Sequence, residues 1–297
     1  MFDLKQLAGR LTCPDDGRVL RSEDYEFGCD CCGRVFPIRQ RQMIDLLPSA
    51  PIAPVGDMNP GYCRAYEEEF RRPLLPDARA LPWGAPEVQP AAWRRKRQRQ
   101  VEAVLPRLSC AQDTSELLLC DVSAGAGLYT LSYAPHFKGV LHCDLSPTSL
   151  AYALAKANRR NLDNVVFLRI DYLRPPFRRT LDRVLCMDSL IRGPIHERLL
   201  LRSVCGMLNS TGRAVVDFHN WWHNPLRRLG LLPQNFTSNF SYSKGQADHL
   251  LASVGIRATS CFRFLQELDT EADGYISPGR FFLPASRFVY TLAPPLC

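Results

Sequence analysis

From residue 117 onward, apolar runs of strand length alternate with stretches of helix length. The runs are Leu117 to Val122, Val140 to Cys143, Val165 to Ile170, Arg183 to Met187 and Arg213 to Phe218. A parallel sheet needs such nearly continuous apolar strands, because helices cover both of its faces. The spacing between them predicts helices over Ser149 to Arg159 and His196 to Leu208. Gln246 to Val254 reads as a further helix and Phe281 to Thr291 as closing strands. The expected fold class is α/β.

Upstream the pattern breaks. Residues 1–50 form a cysteine-bearing unit that ends in Met43-Ile44-Asp45-Leu46-Leu47-Pro48 and runs into Ser49-Ala50-Pro51-Ile52-Ala53-Pro54, where a boundary is expected. Residues 51–92 are rich in proline and offer one short helical candidate, Tyr66 to Phe70, so they read as a linker or a cap over an active site. The main domain is expected over 93–297. It opens on Trp93-Arg94-Arg95-Lys96-Arg97-Gln98-Arg99, five basic residues with no acid, which reads as a solvated helix face.

The first strand of the main domain runs into the turn Asp121-Val122-Ser123-Ala124-Gly125-Ala126-Gly127. Glycines at 125 and 127 let the backbone pass close to a ligand, where any side chain would fill the space the ligand needs. A dinucleotide fingerprint would place a third glycine at 130, where Thr130 stands. The second strand ends at Asp144, followed by Leu145; an acid there can accept hydrogen bonds from both ribose hydroxyls of an adenosine. The third ends at Asp171-Tyr172, so a carboxylate can reach an adenine amine with an aromatic beside the ring. Three acids at successive strand ends around paired glycines point to an adenosine-containing cofactor. The competing structural reading makes all three acids helix N-caps.

This constellation resembles the class I S-adenosylmethionine-dependent methyltransferases, whose first motif is acid-x-Gly-x-Gly-x-Gly, over about residues 115–292. The resemblance implies a Rossmann-like sheet on which Gly125 and Gly127 border the methionine part of the cofactor and Asp121 helps position its amino group. It implies that Asp144 with Leu145 meets the ribose, and Asp171 with Tyr172 the adenine. Ser123 stands where the family has its first glycine and counts among the cofactor-binding positions. Leu181 to Asp188 matches the fourth strand, whose end, at Met187 and Asp188, borders the transferred methyl. Asp188 and His219 are the catalytic candidates. His219 suits a base, since an imidazole ordinarily titrates near neutrality, and suits equally a structural donor. The aromatic and basic stretch Trp221 to Arg228 either covers the core or builds an acceptor pocket.

In the N-terminal unit, Cys13-Pro14-Asp15-Asp16-Gly17 and Cys29-Asp30-Cys31-Cys32-Gly33 are two knuckles of Cys-x-x-ligand. Together Cys13, Asp16, Cys29 and Cys32 can hold a structural, tetrahedral zinc, with Cys31 as the alternative to the less common aspartate. With the Phe36-Pro37-Ile38 to Leu46-Leu47-Pro48 ending, the segment resembles the Trm112-like zinc ribbon that opens the bacterial ribosomal-RNA guanine methyltransferases of the RlmA type. Asp16 replaces that family's second cysteine, so both a zinc-loaded and an empty ribbon are compatible with the sequence.

Composition narrows the function classes. With 46% hydrophobic and 23% charged residues the chain reads as an ordinary globular protein, and no window approaches twenty uninterrupted apolar residues. The opening lacks the order of a signal peptide, and Cys120, Cys143, Cys186 and Cys205 lie singly in apolar runs as reduced core thiols would. A cytoplasmic protein with no membrane partner is expected. The net charge of +7 permits an acidic partner without requiring one. The leading expectation is methyl transfer to a small-molecule acceptor. RNA as acceptor is the runner-up, on the ribbon and the basic helix, and a scaffold that no longer holds the cofactor is the third.

Overall fold

The computed structural model describes residues 4–40, 42–51, 60–74, 81–82, 84–220, 240–265 and 285–294. The N-terminal unit supplies β1 (Arg21–Ser22), β2 (Glu26–Gly28), β3 (Val35–Arg39) and β4 (Met43–Asp45). Helices α1 (Pro60–Arg71) and α2 (Ala91–Ser109) follow. The main alternation comprises β5 (Leu118–Val122), α3 (Leu128–Tyr133), β6 (Gly139–Asp144), α4 (Pro147–Arg159), β7 (Val165–Arg169), β8 (Leu181–Leu190), α5 (Pro194–Met207) and β9 (Leu208–His219). Helix α6 (Lys244–Ser253) and the strands β10 (Ala258–Leu265) and β11 (Ala285–Leu292) close the chain.

These strands form one sheet in the order β1-β2-β3-β4-β7-β6-β5-β8-β9-β11-β10. From β4 to β9 the pairing is parallel, and β11 returns antiparallel between β9 and β10. Strands β5, β6 and β7 are buried at every position, as expected of strands covered on both faces. One core, with α5 and α6, fills one side of the sheet; the other, with α2, α3 and α4, fills the opposite side. The chain builds β5, β6 and β7 outward in one direction and then crosses back to lay β8 on the far side of β5. The order therefore reverses at β5 and β8, and open α/β sheets bind ligands in the crevice outside the strand ends at such a point.

Local chemistry sets the element ends. Ser146 caps α4 by accepting from Ser149 N–H, with Pro147 at its first position. Ser243 and Gln246 form a capping box on α6. Helix α2 turns one face inward through Arg97, Gln100, Val101, Val104 and Leu108, positions repeating at helical spacing.

The structure departs from the sequence expectation in three places. No break separates the N-terminal unit from the main sheet: β4 pairs in parallel with β7, Met43 opposite Phe167 and Asp45 opposite Arg169. Its buried Leu7, Leu11, Phe27 and Phe36 join the α5 side of the core. A three-residue strand is too short to announce itself by alternation, and its partner lies more than a hundred residues away. Helix α1 spans Pro60–Arg71, longer than the Tyr66 to Phe70 stretch the sequence predicts, and β10 has no counterpart among the predicted elements. Of the expected closing segment, 281–284 lie outside the described residues.

Gly127 sits at φ 77°, and a Cβ there would lie 3.1 Å from the Ala153 Cβ of α4. Gly127→Ala is therefore expected to destabilise the protein by roughly 1–2 kcal/mol, read as a lower urea midpoint at unchanged slope.

Candidate functional site

At the end of β5, Asp121 is buried and accepts from the Thr130 N–H at 3.0 Å and from the Thr130 hydroxyl at 2.6 Å. Thr130 in turn meets His142 Nδ1 at 2.9 Å. Thr130, standing where a dinucleotide fold would have glycine, thus pins the first turn of α3 to the strand end. Burial raises the Asp121 carboxyl to about 7 in spite of these donors. Asp121 acts on the turn from beneath.

Ser123 takes a left-handed backbone at φ 58° and Gly125 another at φ 55°. A Cβ on Gly125 would meet nothing within 4 Å, so the turn opens onto free space there, as a ligand-facing backbone must. The Gly125 N–H donates to Asp144 Oδ2 at 2.7 Å, and the Ser146 N–H donates to Oδ1 at 2.8 Å. Glycine turn and β6 acid thus form one unit. Burial pushes the Asp144 carboxyl up to about 6 against the pull of those two N–H groups. Leu145 beside it is buried.

At the end of β7, Asp171 Oδ1 accepts from the Leu173 N–H at 2.9 Å. Its Oδ2 accepts from the Tyr66 hydroxyl of α1 at 2.7 Å. Tyr172 turns away from this acid: its ring packs edge-on against His196, and its hydroxyl lies 3.2 Å from His196 Nε2. The aromatic beside Asp171 is Tyr66, not Tyr172. Nothing in the sequence near Asp171 signals Tyr66, which arrives from 105 positions upstream.

On the other side of β5, strand β8 bulges against β9: Cys186 faces Val216 but Leu190 faces Phe218. Asp188 lies in the bulge with φ 59°, its N–H donating to Asp217 Oδ1 at 2.7 Å. Bulges re-aim side chains next to sites, and this one turns the Asp188 carboxylate into a charged cluster. Arg97 of α2 pairs with Asp188, and Arg287 of β11 pairs with both Asp188 and Asp217. His219 Nε2 lies 3.1 Å from Asp188 Oδ1. Burial alone would raise the Asp188 carboxyl, but Arg287, Arg97 and His219 outweigh it and hold it well below the usual range. Asp188, Asp217 and His219 are close enough to ligate a metal. Two guanidiniums already neutralise the two carboxylates, so a metal cation would meet their repulsion. The buried Tyr129 hydroxyl stands in the field of the same charges. Met187 is buried beside them.

The basic run of α2 is therefore not a uniform solvated face. Arg94 and Arg95 are exposed, whereas Arg97 is buried over Trp93 and tied to Asp188. A helical reading could have found this, since Arg97 falls on the apolar stripe of Val101, Val104 and Leu108. Arg287 and Arg169 carry a comparable signal, a lone cation inside an apolar strand. The Trp221 to Arg228 stretch lies outside the described residues.

In the N-terminal unit the two knuckles superpose in kind. The Gly17 N–H donates to Cys13 O at 2.9 Å and the Gly33 N–H to Cys29 O at 3.0 Å. Cys13, Asp16, Cys29 and Cys32 bring their ligand atoms within 4.8 Å of one another, and Cys31 is not among them. Cys13 and Cys32 Sγ lie 3.6 Å apart, and Cys29 Sγ lies 3.2 Å from Asp16 Oδ2, near the edges of a tetrahedron about 2.3 Å in radius. The donor set fits zinc. A cavity of about 540 Å³ opens beside the first knuckle, between Asp15, Asp16, Arg174 and Arg178, away from the glycine turn.

Residues 119–212 match the sequence model of a family described as a methyltransferase domain. Among solved structures, magnesium protoporphyrin IX methyltransferase from Synechocystis, with bound S-adenosylhomocysteine, is 18% identical at a TM-score of 0.51, covering 67% of this chain and 84% of that one. A methyltransferase-like protein of Bacillus halodurans is 14% identical at a TM-score of 0.51, covering 66% of this chain and all of that one. The YcgJ protein of Bacillus subtilis is 14% identical at a TM-score of 0.50, covering 69% of this chain and all of that one. No curated protein sequence matches. At these identities the structures share the fold. Residues 119–212 match a methyltransferase domain and lie on a Rossmann-like sheet of the class I kind. The protein is accordingly an enzyme of the methyltransferase class. The residues present fit S-adenosylmethionine: a glycine turn open to a ligand, joined to a buried acid that retains lone pairs. No helix among the described residues is long and apolar enough to cross a membrane.

Asp188→Asn takes from Arg97 its carboxylate partner and leaves Arg287 with Asp217 alone. Because the Asp188 side chain is a quarter exposed, the expected loss is about 2–3 kcal/mol, below the range for fully buried pairs. Chemical denaturation with Arg97→Met and the double variant checks it, since coupled residues must give non-additive losses.

Proposed function

We propose that the protein transfers a methyl group from S-adenosylmethionine to a small-molecule acceptor held over the ends of β8 and β9. The observation that carries this reading is the joining of Gly125 to Asp144 through one hydrogen bond, beside free space and flanked by acids at the ends of β5 and β7. Asp144 accepts from the ribose, Asp171 faces the adenine, and Ser123, Gly125 and Gly127 border the methionine part. Asp121 shapes the turn through Thr130. The cofactor supplies an electrophilic methyl on a sulfonium, so the chain's own task is chiefly alignment.

Asp188 is a poor base, because a carboxyl held far below its usual range by two guanidiniums gives up proton affinity. Its role is positioning: it accepts from His219 Nε2 and so directs the other ring nitrogen toward an acceptor proton. His219 is the base where the acceptor carries a proton at neutral pH. The four knuckle residues hold a structural zinc that ties the N-terminal unit together, with Asp16 at the position equivalent to Cys32.

A second reading takes RNA as the acceptor. It draws on one observation, the arginines Arg174 and Arg178 beside the first knuckle. Activity on RNA that falls by orders of magnitude between low and moderate salt would favour it, since phosphate contacts release counterions.

Thermal unfolding with S-adenosylhomocysteine tests the cofactor reading. The wild-type midpoint should rise, and Asp144→Asn should abolish the rise; its ligand-free midpoint should fall modestly, because the amide can accept from only one of the Gly125 and Ser146 N–H groups. No rise at saturating ligand would leave the scaffold reading ahead. A carboxyl raised to about 6 must be ionised to accept two hydroxyls. Affinity should thus weaken as the pH falls through about 6 and level off above it. Metal analysis should find about one zinc per chain, retained by Asp16→Cys and lost from Asp16→Ala; a metal-free protein from zinc-supplemented medium would sink the zinc assignment.

A further inference from the structure

The carboxyl end of helix α1 is held by a buried side chain of the sheet. Arg169 of β7 donates from Nε to Leu145 O at 3.1 Å and from Nη2 to Glu69 O at 2.6 Å and Phe70 O at 3.2 Å. Its Nη1 reaches Asp45 Oδ2 at 3.2 Å. The last carbonyls of a helix have no partner within it, and a cation there is doubly favoured. Because Leu145 follows Asp144, one planar guanidinium brings the carboxyl end of α1 against the tip of β6.

Tyr66, Glu69 and Phe70 lie three and four residues apart and share a face of α1. Tyr66 packs with Leu47, Leu145 and Phe70 and donates to Asp171. Glu69 therefore comes from the same face, next to Asp144. Its Oε1 pairs with Arg72 at 2.9 Å, but its Oε2 is shut from solvent and has no hydrogen-bond partner. A buried carboxylate oxygen without a donor is costly, and such atoms mark places where a donor belongs. The Glu69 charge is also felt by Asp144 across the gap between them. Two carboxylates facing one gap call for a ligand with two hydroxyl donors.

We propose that α1 is a wall of the adenosine subsite, in which Glu69 Oε2 accepts a ribose hydroxyl opposite Asp144 while the Tyr66 hydroxyl orients Asp171. This rests on the S-adenosylmethionine reading above. It makes the proline-rich segment part of the cofactor site, and it names Glu69 as a binding residue and Tyr66 as a positioning residue.

Calorimetric titration of the full chain with S-adenosylhomocysteine, and with its analogues lacking the 2′- or the 3′-hydroxyl, tests this. Glu69→Ala should weaken binding of the parent compound by roughly tenfold or more, the usual effect of losing a hydrogen bond to a charged group. It should change binding of one of the two deoxy analogues less than about twofold, because that hydroxyl is already gone. Glu69→Gln, which keeps an oxygen but not the charge, should fall between, and serves if the alanine variant does not fold. Arg72→Ala, which breaks the surface pair, should bind as wild type. Equal or tighter binding by both Glu69 variants would overturn the proposal, tighter binding meaning that α1 competes with the cofactor. Equal losses on the parent and both analogues would overturn the ribose assignment. A wild-type chain that does not bind the parent compound would overturn the cofactor reading itself, and this one with it.

Discussion

One buried guanidinium, that of Arg169, joins three parts of the chain that sequence separates widely. It reaches Asp45 at the end of β4, the last carbonyls of α1 and the backbone at the tip of β6. At 3% exposure an unpaired guanidinium would cost several kcal/mol, and these acceptors offset that cost. The N-terminal unit's place on the sheet edge and the position of α1 beside the tip of β6 both draw on it. The pairing of β4 with β7 supplies the direction and the guanidinium supplies the fastening.

A second charged cluster organises the opposite side of the crevice. Asp188, Asp217, Arg97 and Arg287 balance formally to zero, and each faces an opposite charge within the cluster. The cost of burying four charges suits a site that needs fixed dipoles next to reacting atoms more than one that needs stability alone. His219 reads its orientation from this cluster. The bulge at Asp188 follows from the same requirement, because a regular strand would have aimed that carboxylate elsewhere.

Much of this was legible along the chain. The five parallel strands, the glycine turn and the acids at the ends of β5, β6 and β7 followed from periodicity and punctuation. The grouping of Cys13, Asp16, Cys29 and Cys32 followed from knuckle spacing. Tyr66 and the β4 to β7 pairing did not, for a common reason: each is defined by a partner far away, and local pattern carries no record of it. The solvated reading of the basic run failed at Arg97 because charge is a weaker guide to facing than helical spacing.

The sequence by itself determined the class of fold and the class of chemistry, because apolar period, strand-end acids and paired glycines are local features with local physical causes. The tertiary structure alone decided which aromatic meets Asp171, which cations hold Asp188, and that the N-terminal unit extends the main sheet. Those outcomes depend on which buried charges and hydrogen-bonding groups find one another when the chain closes, and burial leaves each of them few alternatives.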